Sequence, residues 1–146
     1  MKLLIKRLDP RAKKPARATP GSAGMDLHAL LDHPVTLPPG GMTTIPTGIA
    51  IGLPDSNLVG LVYARSGLAV KHGIALSNGV GVIDSDYTGE IRVGLVNLSD
   101  TKYTINPGER IAQLVISPVL PLEPEEVEEL TPTSRGAGGF GSTGRL

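Results

Sequence analysis

Three features of the 146-residue sequence predict an all-β domain, a sandwich or barrel of short strands with one short helix. Its 19 glycines and 13 prolines interrupt the chain too often for long helices. Apolar runs rich in Val, Ile and Leu recur between clusters of Gly, Pro, Asn and Asp. Within one run, Ile91, Val93 and Leu95 alternate with Arg92, Gly94 and Val96, a period of two with one wholly apolar face. The length suits a single domain. With aromatic residues at only 3%, the core has to be aliphatic.

In chain order, the first strand is expected over residues 3–8. Its apolar run ends when charge returns at Lys6, too early for a signal peptide or a membrane span. Together with the absence of cysteine, this predicts a soluble protein of a reducing, cytoplasmic compartment. Further strands are expected over 42–51, after Pro38-Pro39-Gly40-Gly41, and over 57–63, after Pro54-Asp55-Ser56. Ser66 is read as the N-cap of one or two helical turns through Leu68, Ala69 and Val70, which Gly73 stops. Asn78-Gly79 is a hairpin-turn dipeptide, and 90–97 is the alternating strand. Residues 102–105 and 110–116, flanking Asn106-Pro107-Gly108-Glu109, predict a hairpin, with the last apolar run over 111–119. Beyond it, Pro121 and Pro124 leave the Glu-rich stretch 123–130 open to a helix or an extended crossing. The final sixteen residues carry five glycines and no apolar periodicity, so alone they read as a disordered tail.

Charge excludes some functions. Fourteen basic and fourteen acidic residues cancel, so no global field draws the chain to nucleic acid or membrane. Three tyrosines, one phenylalanine and no tryptophan are too few for a base-stacking platform. The basic N-terminal stretch and the Glu-rich run read as solvated segments. Without cysteine there is no thiolate metal site, and His28, His33 and His72 lack metal-ligand spacing. No nucleophilic triad is in evidence.

Several blocks carry chemistry. In Arg135-Gly136-Ala137-Gly138-Gly139-Phe140-Gly141-Ser142-Thr143, glycines let backbone N–H groups converge on an anion. Ser142 and Thr143 add hydroxyls, and Arg135 offers a fork for phosphate oxygens. The block opens no helix inside a βαβ unit, so the dinucleotide fingerprint does not apply. Arg65-Ser66-Gly67 stands at a strand-to-helix junction, where unpaired N–H donors receive phosphate; an ordinary helix start is the plain alternative. Asn78 offers a donor and an acceptor to a base edge, or simply a turn. Val80, Val82 and Ile83 precede Asp84, which is expected to emerge beside apolar residues, ionised but poorly solvated, as a general base for water. Tyr87 can lay its ring against a sugar. Asp26 lies between apolar residues, and Gln113 sits in an apolar strand where its amide needs partners.

Five blocks in this order closely resemble the trimeric deoxyuridine triphosphate nucleotidohydrolases (dUTPases): 23–27, 65–69, 78–87, 108–114 and 135–143. The resemblance runs from about Leu3 to the C-terminus. Met25 stands where a larger aromatic is common, and Ala64 where Pro or Gly is common. The resemblance implies a distorted jelly-roll-like subunit over residues 1–130, with 120–130 crossing toward a neighbour. Residues 131–146 become a Gly-rich arm that closes over a neighbouring site in a homotrimer. It implies hydrolysis of dUTP to dUMP and pyrophosphate by water attack at the α-phosphorus, with Asp84 as the base. Asn78 and the backbone around Val80, Val82 and Ile83 would read uracil, and Tyr87 would pack under deoxyribose. Ser66, Gly67 and Gln113 would hold the α- and β-phosphates, braced by Arg65, with Arg92 a further candidate for that pocket. Arg135, Gly141, Ser142 and Thr143 would clasp the γ-phosphate end, and Phe140 would cap the uracil. Magnesium (Mg2+) would be held mainly by substrate phosphates, with Asp26 touching its waters. No nucleic acid or membrane partner is implied. Two rivals stay open: a dCTP deaminase of the same superfamily, which releases ammonia, and a non-catalytic nucleotide-binding protein.

Overall fold

The computed structural model describes residues 1–144; the last two residues of the predicted arm, 145 and 146, lie outside the described residues. Ten strands and one helix are described: β1 (Leu4–Arg7), β2 (Met25–His28), β3 (Val35–Leu37), β4 (Met42–Gly52), β5 (Leu58–Tyr63), α1 (Ser66–His72), β6 (Ile74–Leu76), β7 (Gly81–Ile83), β8 (Glu90–Asn97), β9 (Tyr103–Ile105) and β10 (Arg110–Pro118). Two four-stranded sheets, ordered β1-β4-β8-β6 and β2-β10-β5-β7, are joined by a two-stranded ribbon, β3-β9. Every strand pairing is antiparallel. No helix among the described residues is long and apolar enough to cross a membrane.

One cluster drawn from both sheets forms the core. Its fully buried members are Ala, Val, Leu and Ile, as the scarcity of aromatics requires. The alternation in β8 turns Ile91, Val93 and Leu95 inward. Asn97 ends that strand as a buried amide with its capacity filled. Its Nδ2 donates to the carbonyls of Leu37 (3.0 Å) and Thr101 (2.8 Å), while its Oδ1 accepts from Ser99.

Three local expectations are corrected. The stretches around Asn106-Pro107-Gly108-Glu109 do not form a hairpin with each other: β9 pairs β3, whereas β10 pairs β2 and β5. The turn exists, with the Glu109 N–H donating to the Asn106 carbonyl at 3.1 Å, but it moves the chain between sheets. Asn78-Gly79 likewise closes a turn on Leu76 (3.0 Å), yet β6 pairs β8 and β7 pairs β5. The N-cap of α1 is Arg65 in extended conformation, and Ser66 is the first helical residue with no side-chain cap bond. Gly73 ends the helix in the left-handed region, at φ 67°, as expected. Of the two options for residues 123–130, the helix is not taken.

A bulge in β4 bears on the site. The β4–β8 register shifts between Pro46 and Ala50. Side chains bridge the gap: the Thr47 hydroxyl donates to the Ile91 carbonyl (2.6 Å), and the Gly48 N–H donates to Glu90 Oε1 (2.9 Å). Gly48 sits at φ 66°, and a Cβ there would lie 2.7 Å from Leu30 Cδ2 and 2.8 Å from Ala12 Cβ. Gly48→Ala adds left-handed strain to overpacking and is expected to destabilise the fold by about 3 kcal/mol. Urea unfolding of the variant checks this; a midpoint equal to that of the native chain contradicts it.

Candidate active site

The chain's path between the sheets builds the first depression, of about 280 Å³. From the turn at Asn78 the chain enters β7, where Gly81 and Val82 register with Val62 and Leu61 of β5. Asp84 follows this strand directly and starts a second turn, its carbonyl accepting the Tyr87 N–H at 3.1 Å. Asn78, Val82, Ile83, Asp84, Tyr87 and Arg92 all line the depression. Val80 and Val82 are exposed beside the Asn78 amide, an apolar edge next to a donor–acceptor pair suited to a flat heterocycle. The Tyr87 hydroxyl donates to the Glu90 carbonyl (2.8 Å), and its ring lies over Gly89, where a Cβ would come within 2.6 Å of that hydroxyl. The Glu90 carboxylate also receives Arg92 at 3.2 Å.

The Asp84 carboxylate is exposed and makes no hydrogen bond among the described residues. The poor solvation expected from its apolar neighbours is therefore not a property of one chain. On one chain Arg92 lines the depression of Asp84, whereas Ser66 and Gln113 line another.

A second depression, of about 290 Å³, gathers Ser22, Gly24, Asp26, Arg65, Ser66 and Gln113. The sheet explains the gathering, because Gln113 of β10 registers with Asp26 of β2 on one side and Tyr63 of β5 on the other. Gln113 finds the partner its amide needs, donating to the Ala64 carbonyl at 2.9 Å. Its Oε1 fills the space beside Gly24, where a Cβ would stand 2.3 Å away. Asp26 is gripped from two sides, by Arg65 Nε at 2.9 Å and by Arg110 at 3.1 Å. Sequence reasoning missed Arg110; its only signal was its membership of the 108–114 block. Ser66 and Gly67 are exposed at the start of α1.

Two further placements complete the inventory. His28, read as a surface or packing residue, has a buried Nδ1 without a partner among the described residues, in a depression it lines with Lys13. Burial first, and then the Lys13 charge, hold its pKa below the usual imidazole range. In the arm, Arg135 Nε donates to the Gly138 carbonyl (2.7 Å), and Phe140 is fully exposed. Among the described residues, every hydrogen bond made within 120–144 stays inside that segment. Gly141, Ser142 and Thr143 belong to this detached segment and are exposed.

One chain therefore presents a pocket with a carboxylate, a separate polar pocket built around the Asp26–Arg65 pair, and a glycine-rich arm whose described residues line neither. The two depressions share no lining residue. Among the described residues, no three His, Asp or Glu side chains converge to hold a metal. Asp26 keeps lone pairs beyond its two arginine contacts, enough to accept a metal-bound water.

A family model described as dUTPase matches residues 11–144. The deoxyuridine 5'-triphosphate nucleotidohydrolase of Burkholderia cenocepacia is 54% identical over 147 residues, covering 99% of both chains. That of Aeromonas hydrophila is 52% identical over 145 residues, covering 99% of this chain and 95% of the relative. The solved dUTPase of Staphylococcus bacteriophage 80alpha with dUpNHpp superposes at a TM-score of 0.88, with 31% identity and 99% of each chain covered. A mutant dUTPase from phage phi11 of S. aureus, described with a structural Mg(II) ion, superposes at 0.80 with 26% identity, covering 90% of this chain and 100% of that one.

Proposed function

The chain belongs to the dUTPase family and hydrolyses dUTP to dUMP and pyrophosphate, and from that premise we propose that it works as a homotrimer whose sites are shared between protomers. The observation that carries this is the separation, on one chain, of the Asp84 pocket, the Ser66–Gln113 pocket and the arm. Bringing the pocket of one protomer against that of its neighbour unites base recognition with phosphate binding. Exposed Leu120, Leu122, Val127 and Leu130 suit a segment that crosses onto another subunit. Residues 1–130 are then the body, and the arm from 131 onward closes a neighbouring site. The activity keeps uracil out of DNA and supplies dUMP in the cytoplasm.

In the proposed mechanism Asp84 accepts a proton from a water that attacks the α-phosphorus in line, and pyrophosphate departs. Asn78 and the backbone at Val80–Val82 read the uracil edge, where a narrow turn leaves no room for a thymine methyl. Tyr87 supports the deoxyribose, so that a 2′-hydroxyl collides with its ring. Ser66, Gly67 and Gln113 hold the α- and β-phosphates, and the Asp26 clasp fixes Arg65 beside them. Arg135, Ser142 and Thr143 take the γ-phosphate, while Phe140 covers the uracil. Asp26 would accept from a water of a magnesium ion held mainly by the triphosphate, and that ion would supply charge neutralisation. Proximity and fixed dipoles supply the acceleration that a single base does not.

Hydrolysis of dUTP, dTTP, dCTP and UTP, followed by pyrophosphate release, tests the reading in one experiment. Turnover of dUTP at least about a hundredfold above the other three is expected, because a methyl or hydroxyl that clashes is rejected strongly. Comparable turnover of dTTP or UTP contradicts the assigned pocket, and ammonia from dCTP establishes the deaminase instead.

A further inference from the structure

We infer that Glu90 is a positioning residue that sets the sugar selectivity of the site, by fixing Tyr87 against the β4 bulge. The inference rests on the reading that Tyr87 supports the deoxyribose; it adds what holds the ring in place. Glu90 bonds to β4, to the turn before β8 and to a neighbour on β8 itself. Its Oε1 takes the Gly48 N–H (2.9 Å), a donor that the register shift leaves without a ladder partner. Its own carbonyl takes the Tyr87 hydroxyl (2.8 Å), and its Oε2 takes Arg92 (3.2 Å).

The anchor is stiff. Gly48 is enclosed by Leu30 and Ala12, and the adjacent Ile91 carbonyl is held by the buried Thr47 hydroxyl at 2.6 Å. The backbone at position 90 is thus held twice, by its pairing with Ala50 of β4 and by its own side chain on the Gly48 N–H. That backbone offers the only acceptor the Tyr87 hydroxyl uses among the described residues. The ring's closeness to Gly89 sets its height above the turn, and the hydroxyl bond sets its tilt. A steric test for a 2′-hydroxyl needs both, because a ring free to tilt makes room for the extra oxygen. Exposed turns do not hold a side chain this way unaided.

The test compares kcat and KM for dUTP and UTP in the native enzyme, Glu90→Ala, Glu90→Gln, Tyr87→Phe and the Glu90→Ala/Tyr87→Phe pair. Glu90→Ala is expected to lower the dUTP:UTP ratio of kcat/KM about tenfold, since it leaves the acceptor held by the Ala50 pairing alone, at the edge of the bulge. Most of that change falls on KM for dUTP and on the gain with UTP, with kcat for dUTP within about twofold. Glu90→Gln keeps an oxygen for the Gly48 N–H and is expected to recover the ratio. Tyr87→Phe lowers the ratio by a similar factor, and the pair loses no more than either single variant. Melting curves check folding; if Glu90→Ala does not fold, Glu90→Met, of similar length without an acceptor, replaces it. A native ratio in Glu90→Ala or Glu90→Met, with a lowered one in Tyr87→Phe, overturns the role of Glu90 and leaves the sugar reading standing. A native ratio in Tyr87→Phe and in Tyr87→Ala overturns the sugar reading itself. Failure of Glu90→Gln to recover the ratio also overturns the inference, because the bond to Gly48 would then not be what matters.

Discussion

Replacing Asp84 with Asn is expected to leave dUTP binding nearly unchanged and to lower kcat by about two to four orders of magnitude. The substitution keeps the size and hydrogen-bonding reach of the side chain and removes only its capacity to take a proton. Binding survives because the proposed grip on the nucleotide lies elsewhere, in Asn78, Tyr87, Ser66, Gln113 and the arm. The geometry suits the role: Asp84 follows β7 directly, in the depression that also presents Asn78 and Tyr87. Its carboxylate spends no lone pair on another protein group among the described residues, so it is free to accept from water. Single-turnover measurements separate chemistry from product release. Native-like turnover by the variant would remove Asp84 from the mechanism.

Ending the chain at Ser134 should leave the proposed trimer intact and lower kcat/KM for dUTP by about two to three orders of magnitude, the scale of losing a preorganised charge-stabilising donor. No hydrogen bond in the described residues ties the arm to its own body, so the body loses no hydrogen bond when the arm is removed. What disappears is the proposed phosphate clasp of Arg135, Ser142 and Thr143 and the proposed Phe140 cover. The loss should be specific, with dUMP, which has no γ-phosphate, binding to the truncated and full chains with more similar affinity than dUTP does. Light scattering gives the assembly and steady-state kinetics the activity. Unchanged turnover would show that the arm is dispensable.

Much of the fold was legible because its longer strands declare themselves locally. The predicted run 90–97 matches β8 to the residue, and 42–51 and 111–119 fall within a residue of β4 and β10. Of the strands of three or four residues, β1 and β9 fell inside expected runs, whereas β2, β3, β6 and β7 are too short to display a period and were not foreseen. Pairing was the least legible level. A turn at Asn106–Glu109 argues for a local hairpin, yet β9 joins β3 through a match at distance, including the Thr36–Thr104 hydroxyl pair at 2.8 Å. Ser66 has the chemistry of a cap, but the guanidinium of Arg65 is committed to Asp26 and the extended Arg65 occupies the cap position.

The chemistry of the site was readable block by block, because amides, carboxylates and glycines keep their character wherever the chain puts them. Their grouping was not. That Asp26, Arg65 and Gln113 share one depression follows from β10 lying between β2 and β5, a fact of strand order. Arg110 escaped notice for the same reason, since its carboxylate partner stands 84 residues earlier in the chain.

In the proposed cycle the arm, which among the described residues makes no hydrogen bond to its own body, bears on product release as well as on binding. A flap held only by what it covers stays shut while one ligand spans everything it touches. Breaking the phosphoanhydride parts the nucleoside from the terminal phosphates, so the flap is left holding two unconnected fragments. Product escape then needs no separate trigger, and the scission that completes the reaction also unlatches the door.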